Sequence, residues 1–495
     1  MLPLVINTEK LVSLLQFDKA SPLLFNSGLF LLLFCGFILV YQLMRKFHYA
    51  KMIFVILFSL YFYYKSSAEY CFILLGVCIS DYLLGILLGD CSKSWERRGV
   101  VWINVLMNVG MLVYFKYLNL IYETFCNLAN RDFDAFEIIL PAGISFFTFR
   151  SISYIVDIYR KEIEPCRDFL SYTFYLTFFP PLLAGPVVRA KDMLPQIRHD
   201  AVADKSMVAE GLFLVMCGLV KKVVVADFIS QNFVDRIFDN PSLYSGFENM
   251  MGAYGFLIQL YCDFSGYSDM AIGIALLLGF RFLDNFNAPF KAQNPTEFWH
   301  RWHISLSSWL RDYVYIPMGG NRCGKFRHNV NLMATMVVGG LWHGASWMFM
   351  IWGGLQGLFL VGHKAIAGKV SRESRLSTPK WRVALNIFLT FNLLAFSFVF
   401  FRARSMDDVK AIGTQIFTNF HLNVAPQFFE GYLMIVLVII GAMLMHFAPS
   451  RWTAKLKSIY AGLPLLIQAL VLALIVFIVI QARQSDIMPF IYFQY

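Results

Sequence analysis

Long apolar runs separated by short polar ones dominate the chain, and their length predicts membrane-spanning helices. One span needs about 20 mainly apolar residues. Apolar runs occupy residues 27–44, 52–64, 70–89 and 100–122. The first ends in Arg45, Lys46 and Lys51, and the third is followed by Lys93, Arg97 and Arg98. The fourth leads into Glu123, Asp132, Asp134 and Glu137. Basic loops therefore alternate with acidic ones, and the excess of Lys and Arg on cytoplasmic loops predicts that 45–51 and 90–99 face the cytoplasm, with the N-terminus outside.

The middle of the chain has a different pattern. Residues 138–159, 169–188 and 207–228 are apolar, but Pro141, Pro180, Pro181, Gly185 and Pro186 interrupt them. Pro and Gly break the helical ladder. Broken backbone at membrane depth persists only where protein buries it or where it lines a cavity. The pattern thus predicts broken or re-entrant helices around an internal site. Residues 250–282 are apolar again, 285–326 are markedly polar, and 329–364 return to an apolar run that Gly339-Gly340 should break. Three clean spans at 383–401, 432–447 and 463–480 close the chain. The expected fold is all-α and polytopic, with roughly 11–13 helices around a central cavity. No repeat or low-complexity tract is evident, so residues 1–495 read as a single membrane domain.

Composition agrees. Of 495 residues, 58% are hydrophobic and 15% charged, and Phe occurs 50 times. A soluble domain averages roughly 45–50% and 25%. Mean hydropathy is +0.58. Disorder is excluded, and no polar stretch is long enough for a separate catalytic domain. The net charge of +10 fits basic cytoplasmic loops better than nucleic-acid binding, since no basic stripe runs along a polar domain. The nine cysteines are scattered without CxxC spacing and read as small packing residues. Residues 1–26 carry Glu9, Lys10, Asp18 and Lys19 and lack a signal-peptide pattern.

Ionisable residues within membrane segments are candidate functional groups. His343, in Gly339-Gly340-Leu341-Trp342-His343-Gly344, is flanked by apolar sequence and small residues. Read from the residues alone, it is either a hydrogen-bonded core histidine or a general base. His303 is the second candidate, and only folding can bring the two together. His48, His199, His328 and His421 read as loop residues, and His363 and His446 as structural or interfacial ones. Neither candidate histidine has zinc-site spacing, so no metal is expected. No nucleophile elbow and no phosphate-binding loop is present.

Several motifs together resemble the membrane-bound O-acyltransferase family, in its bacterial alginate and peptidoglycan O-acetyltransferase branch. They are LPAGISFFTF at 140–149, FFPPLLAGPVVR at 178–189, DFSGYSDMAIG at 263–273, FWHRWHISLS at 298–307, WLRDY at 309–313, YIPMGGNR at 315–322 and GGLWHG at 339–344. The resemblance implies that His343 occupies the catalytic position and His303 that of the branch's second histidine. It implies transfer of an acetyl group from a thioester, acetyl-CoA, to a hydroxyl, with no bound cofactor. A neutral imidazole would take the hydroxyl proton. Arg322, Lys325 and Arg327 would hold the CoA phosphates, or else form a plain positive-inside loop. Arg311-Asp312 would be a buried ion pair, and Asp263, Tyr267 and Asp269 would orient helices.

The terminal Phe490-x-Tyr492-Phe493 resembles a pattern of the same branch, which implies an acyl relay through the Tyr492 phenol. An interfacial aromatic anchor is the alternative. The implied setting is a bacterial inner membrane, with an exported acetyltransferase as partner and a polysaccharide or peptidoglycan as final acceptor. The competing reading from the broken helices is a secondary transporter or lipid flippase.

Overall fold

The computed structural model describes residues 13–18, 22–199, 201–367, 379–482 and 490. Tyr492 lies outside them. Every regular element among the described residues is helical. The chain forms two compact units, Met1–Val202 and Ala203–Tyr495.

The first unit contains α1 (Gly28–Leu43), α2 (His48–Ser67), α3 (Cys71–Asp90), α4 (Ser94–Leu112), α5 (Leu118–Leu128), α6 (Ile144–Tyr159), α7 (Phe169–Thr177) and α8 (Ala190–Arg198). Helix α6 is its centre, and nearly all its residues are buried. Polar groups there are tied across helices, as a water-free interior requires. Asp81 on α3 accepts hydrogen bonds from Asn104 (2.8 Å), Ser151 (2.7 Å) and Tyr172 (2.8 Å), joining α3, α4, α6 and α7. Residues 178–189, where the prolines fall, leave the helix after α7 and are buried throughout. The expected broken backbone is therefore enclosed by protein.

The second unit contains α9 (Lys205–Leu219), α10 (Asp235–Asp239), α11 (Gly246–Leu277), α12 (Pro295–Arg301), α13 (Ile304–Leu310), α14 (Lys325–His343), α15 (Trp347–Ala367), α16 (Lys380–Arg402), α17 (Met406–Thr418), α18 (Ala425–Gly431), α19 (Leu433–Phe447), α20 (Ser450–Gly462) and α21 (Leu465–Ala482). Helix α11 starts with a capping box between Ser245 and Glu248 and runs 32 residues beside α9. After α9 the backbone widens into a π-helical stretch, Val220–Asp227.

Among the described residues, four helical stretches are long and apolar enough to cross a membrane: His48–Asp90, Ser94–Leu128, Lys380–Arg402 and Leu465–Ala482. A fifth, Leu422–Gly431 with Leu433–Phe447, bends by 89°. The remaining helices are shorter, more polar or interrupted, in keeping with the broken middle of the chain.

Two local expectations need correction. Gly339-Gly340 does not break its segment: α14 continues through both to His343, and the break falls after it. The glycine serves contact instead. A Cβ on Gly340 would lie 2.2 Å from the Phe349 carbonyl oxygen and 3.1 Å from the Gly353 Cα, so its absence lets α15 sit directly against α14. The Arg311–Asp312 pair exists at 2.7 Å but is not buried, since the arginine side chain is 59% exposed.

Candidate functional site

His343 is the last residue of α14 and only 3% exposed. Gly344 follows in extended conformation and turns the chain toward α15. Aromatic rings contact the imidazole, among them Trp342 at 5.0 Å, Trp352 on α15 at 5.1 Å and Phe401 on α16 at 5.1 Å between centroids. Phe349 and Phe398 extend this wall. The ring lies inside protein, among three helices.

His303 sits between α12 and α13 with no exposed surface. Its φ of 40° is left-handed, which costs a non-glycine residue roughly 1–2 kcal/mol. Hydrogen bonds hold the turn: Ile304 N–H donates to the Asn285 carbonyl at 2.9 Å, and the Asn285 side-chain oxygen lies 3.0 Å from His303 Nδ1. Phe264, Phe286 and Trp342 surround the ring. The Trp342 indole thus touches both histidines, 5.5 Å from His303 and 5.0 Å from His343. The fold brings together two residues forty positions apart. His303 Nε2 and the indole N–H groups of Trp299 and Trp352 are buried without a hydrogen-bond partner among the described residues. Two polar types useful in acyl transfer, a ring nitrogen and N–H donors, are therefore uncommitted within one aromatic cluster.

Charge lies close by on the same unit. Lys222, in the π-helical stretch, pairs with Asp263 on α11 at 2.5 Å and with Asp227 at 2.8 Å. Lys221 pairs with Asp269 at 2.6 Å. Asp263 and Asp269 thus orient helices, as expected, and Tyr267 is buried beside them. Sequence reading passed over the two lysines, although adjacent cations in an apolar run were a visible signal. It also missed Asn285, Trp352 and Phe401, which no spacing connects to either histidine.

Arg322, Lys325 and Arg327 are brought together where the loop meets the first turn of α14, and all three are exposed. Arg311, also exposed, is kept more firmly protonated by its bond to Asp312. His328 is not a loop residue: it lies in α14 and bonds Tyr315 Oη and Lys364 Nζ. His363 bonds Thr296, and His446 Nε2 accepts from the Phe290 N–H, so both have structural partners. An apolar groove of about 480 Å³ runs along α14 and α15 past Phe326, Val330, Met333 and Leu358, and neither His303 nor His343 lines it. No cluster of metal-ligating side chains occurs among the described residues.

Residues 166–402 match the model of the membrane-bound O-acyltransferase family. The chain is 39% identical over 396 residues to a probable alginate O-acetylase of Pseudomonas aeruginosa, covering 78% of this chain and 73% of that protein. It is 34% identical over 427 residues to a peptidoglycan O-acetyltransferase of Helicobacter pylori, covering 80% of each. Likeness to a teichoic acid D-alanyltransferase of Bacillus subtilis is 27% over 278 residues, 53% of this chain and 68% of that protein. These matches displace the transporter and flippase readings: the polytopic all-α chain is an O-acyltransferase and belongs to the membrane-bound O-acyltransferase family.

Proposed function

We propose that this O-acyltransferase moves an acetyl group from acetyl-CoA on the cytoplasmic side to a hydroxyl of an extracytoplasmic polysaccharide or peptidoglycan, with His343 and His303 as its working residues. The observation that carries the reading is their convergence: two buried imidazoles, distant in sequence, meet one indole inside an aromatic wall. A hydroxyl is a weak nucleophile, and a neutral imidazole beside it takes its proton as it attacks the thioester carbonyl. A buried, aromatic-walled site strengthens each polar contact made there and limits hydrolysis.

The acceptor follows from relatives named for acetylating alginate and peptidoglycan. A bacterial inner membrane is the matching location, with an exported acetyltransferase passing the group onward. Tyr492 is the proposed relay, its phenol accepting the acetyl group before that partner does. Arg322, Lys325 and Arg327 are proposed to hold the donor phosphates. They sit at the end of α14 opposite His343, about 27 Å away along the helix, so a donor bound by both must reach along most of its length.

The test is acetyl transfer by the full chain in lipid nanodiscs with radiolabelled acetyl-CoA. His343→Ala and His303→Ala should each lower CoA release at least about 100-fold while the protein stays folded. Neutralising the three basic residues together should raise KM for acetyl-CoA and leave kcat unchanged. Wild-type rates in His343→Ala would overturn the assignment. An unchanged KM in the triple variant would leave those residues as a topology signal.

A further inference from the structure

Asn285 is tied to the turn at His303 more thoroughly than packing alone requires. Its carbonyl accepts from Ile304 N–H at 2.9 Å. Its side-chain oxygen accepts from Ser305 Oγ at 2.8 Å and from Ser305 N–H at 3.3 Å, and lies 3.0 Å from His303 Nδ1. Its amide nitrogen donates to Ser268 Oγ at 3.1 Å on α11. Asn285, Ser268 and His303 are all almost completely buried.

These partners determine where one proton sits. A backbone N–H can only donate, so the amide oxygen, not the nitrogen, must face Ser305. The same oxygen faces His303 Nδ1, and two acceptors cannot share a hydrogen bond. Nδ1 therefore carries a hydrogen. Full burial among Phe264, Phe286 and Trp342 disfavours a charged ring, and a neutral ring has a single N–H. Nε2 is then a lone pair, and it has no hydrogen-bond partner among the described residues.

We propose that Asn285 is a positioning residue that holds His303 in the Nδ1–H tautomer, so that its Nε2 lone pair receives the proton of the attacking hydroxyl. The inference rests on the acyl-transfer reading above and divides its labour. The hydroxyl O–H bond breaks and its proton passes to Nε2. The hydroxyl oxygen bonds to the thioester carbonyl carbon, and the C–S bond breaks with its electron pair on sulfur. Sulfur then takes the proton from Nε2, which returns the ring to neutrality. Before the attack His303 offers no free N–H to the thioester carbonyl, so a donor that polarises that carbonyl is another group.

The test compares Asn285→Leu, Asn285→Asp and Ser268→Ala with wild type, all in nanodiscs. Leu removes the acceptor at similar size. Asp keeps an oxygen toward Nδ1 and adds a negative charge, which favours the protonated ring. Of the charged groups nearby, Asp263 pairs with Lys222, Asp269 with Lys221 and Glu297 with Arg301, and Asp284, the residue before Asn285, is exposed. His343 also contacts the Trp342 ring and is the same in wild type and all three variants, so a limb that moves between them reports His303.

Asn285→Leu should lose at least about 100-fold in kcat, with KM for acetyl-CoA little changed. Asn285→Asp should retain activity within about tenfold of wild type at pH 8, and the acid limb of its kcat/KM profile should move up by about one pH unit. Ser268→Ala should fall between the two. Should Asn285→Leu fail to fold, the acid limb of Asn285→Asp decides. Full activity in Asn285→Leu, or an unmoved acid limb in Asn285→Asp, would overturn the proposal. An active wild type with an equally active His303→Gln would also overturn it while leaving acyl transfer intact. A wild type that releases no CoA would instead remove the functional reading beneath it.

Discussion

Gly344 follows His343 where the chain leaves α14, and a Cβ there would stand 2.2 Å from Phe349 Cε2. Its backbone is extended, so the requirement is space and not conformation. Overpacking a tight interior costs about 1–3 kcal/mol, and here the displaced ring belongs to the wall around His343. Gly344→Ala should therefore lower the thermal midpoint and acetyl transfer together. Adding Phe349→Leu should restore much of both, read by thermal unfolding in detergent and by CoA release. Failure of the second change to restore activity would mean that Gly344 serves His343 in some other way. At this scale the sequence was informative about identity and silent about surroundings. His343 and His303 stood out as candidates because their motifs are distinctive. Trp352, Phe401 and Asn285 were not, because their relation to the histidines exists only across helices.

Among elements, the apposition of α9 and its π-helical extension with α11 contains a buried charge cluster. Lys222 faces both Asp227 and Asp263. Removing one partner of a buried pair leaves an uncompensated charge and costs about 3–5 kcal/mol. Lys222→Met should show this as a large fall in thermal stability, and Lys222→Met with Asp263→Leu should recover part of it. Equal stability in the single and double variants would mean that the charges are not coupled. The π-helical widening at Val220–Asp227 explains why helical periodicity hid the arrangement: Lys221 and Lys222 are sequence neighbours, yet each reaches a different aspartate of α11. The mistaken break at Gly339-Gly340 has a similar origin. A glycine pair reads equally as a breaker or as a contact surface, and the arrival of α15 decides which.

For the whole molecule, the alternation of basic and acidic loops predicts an orientation that chemical labelling can check. In a cysteine-free background, Lys46→Cys and Lys93→Cys should react with an impermeant maleimide only from the cytoplasmic face, and Asp132→Cys only from the other. All three positions are exposed. Labelling of Lys93 and Asp132 from the same side would refute the charge rule for this chain. Orientation matters for function, because the donor thioester and the acceptor hydroxyl are proposed to approach from opposite faces.

Local signals of length, apolar runs, prolines and motif order were enough to give the all-helical membrane class, the broken middle of the chain and the chemistry, because each depends on residue types within a short window. What they could not reach was set by contacts between distant segments. The meeting of His303 and His343 on Trp342, the clamp of Asn285 on the His303 turn and the seating of α15 on Gly340 all arise from packing in three dimensions, which no periodicity along the chain records.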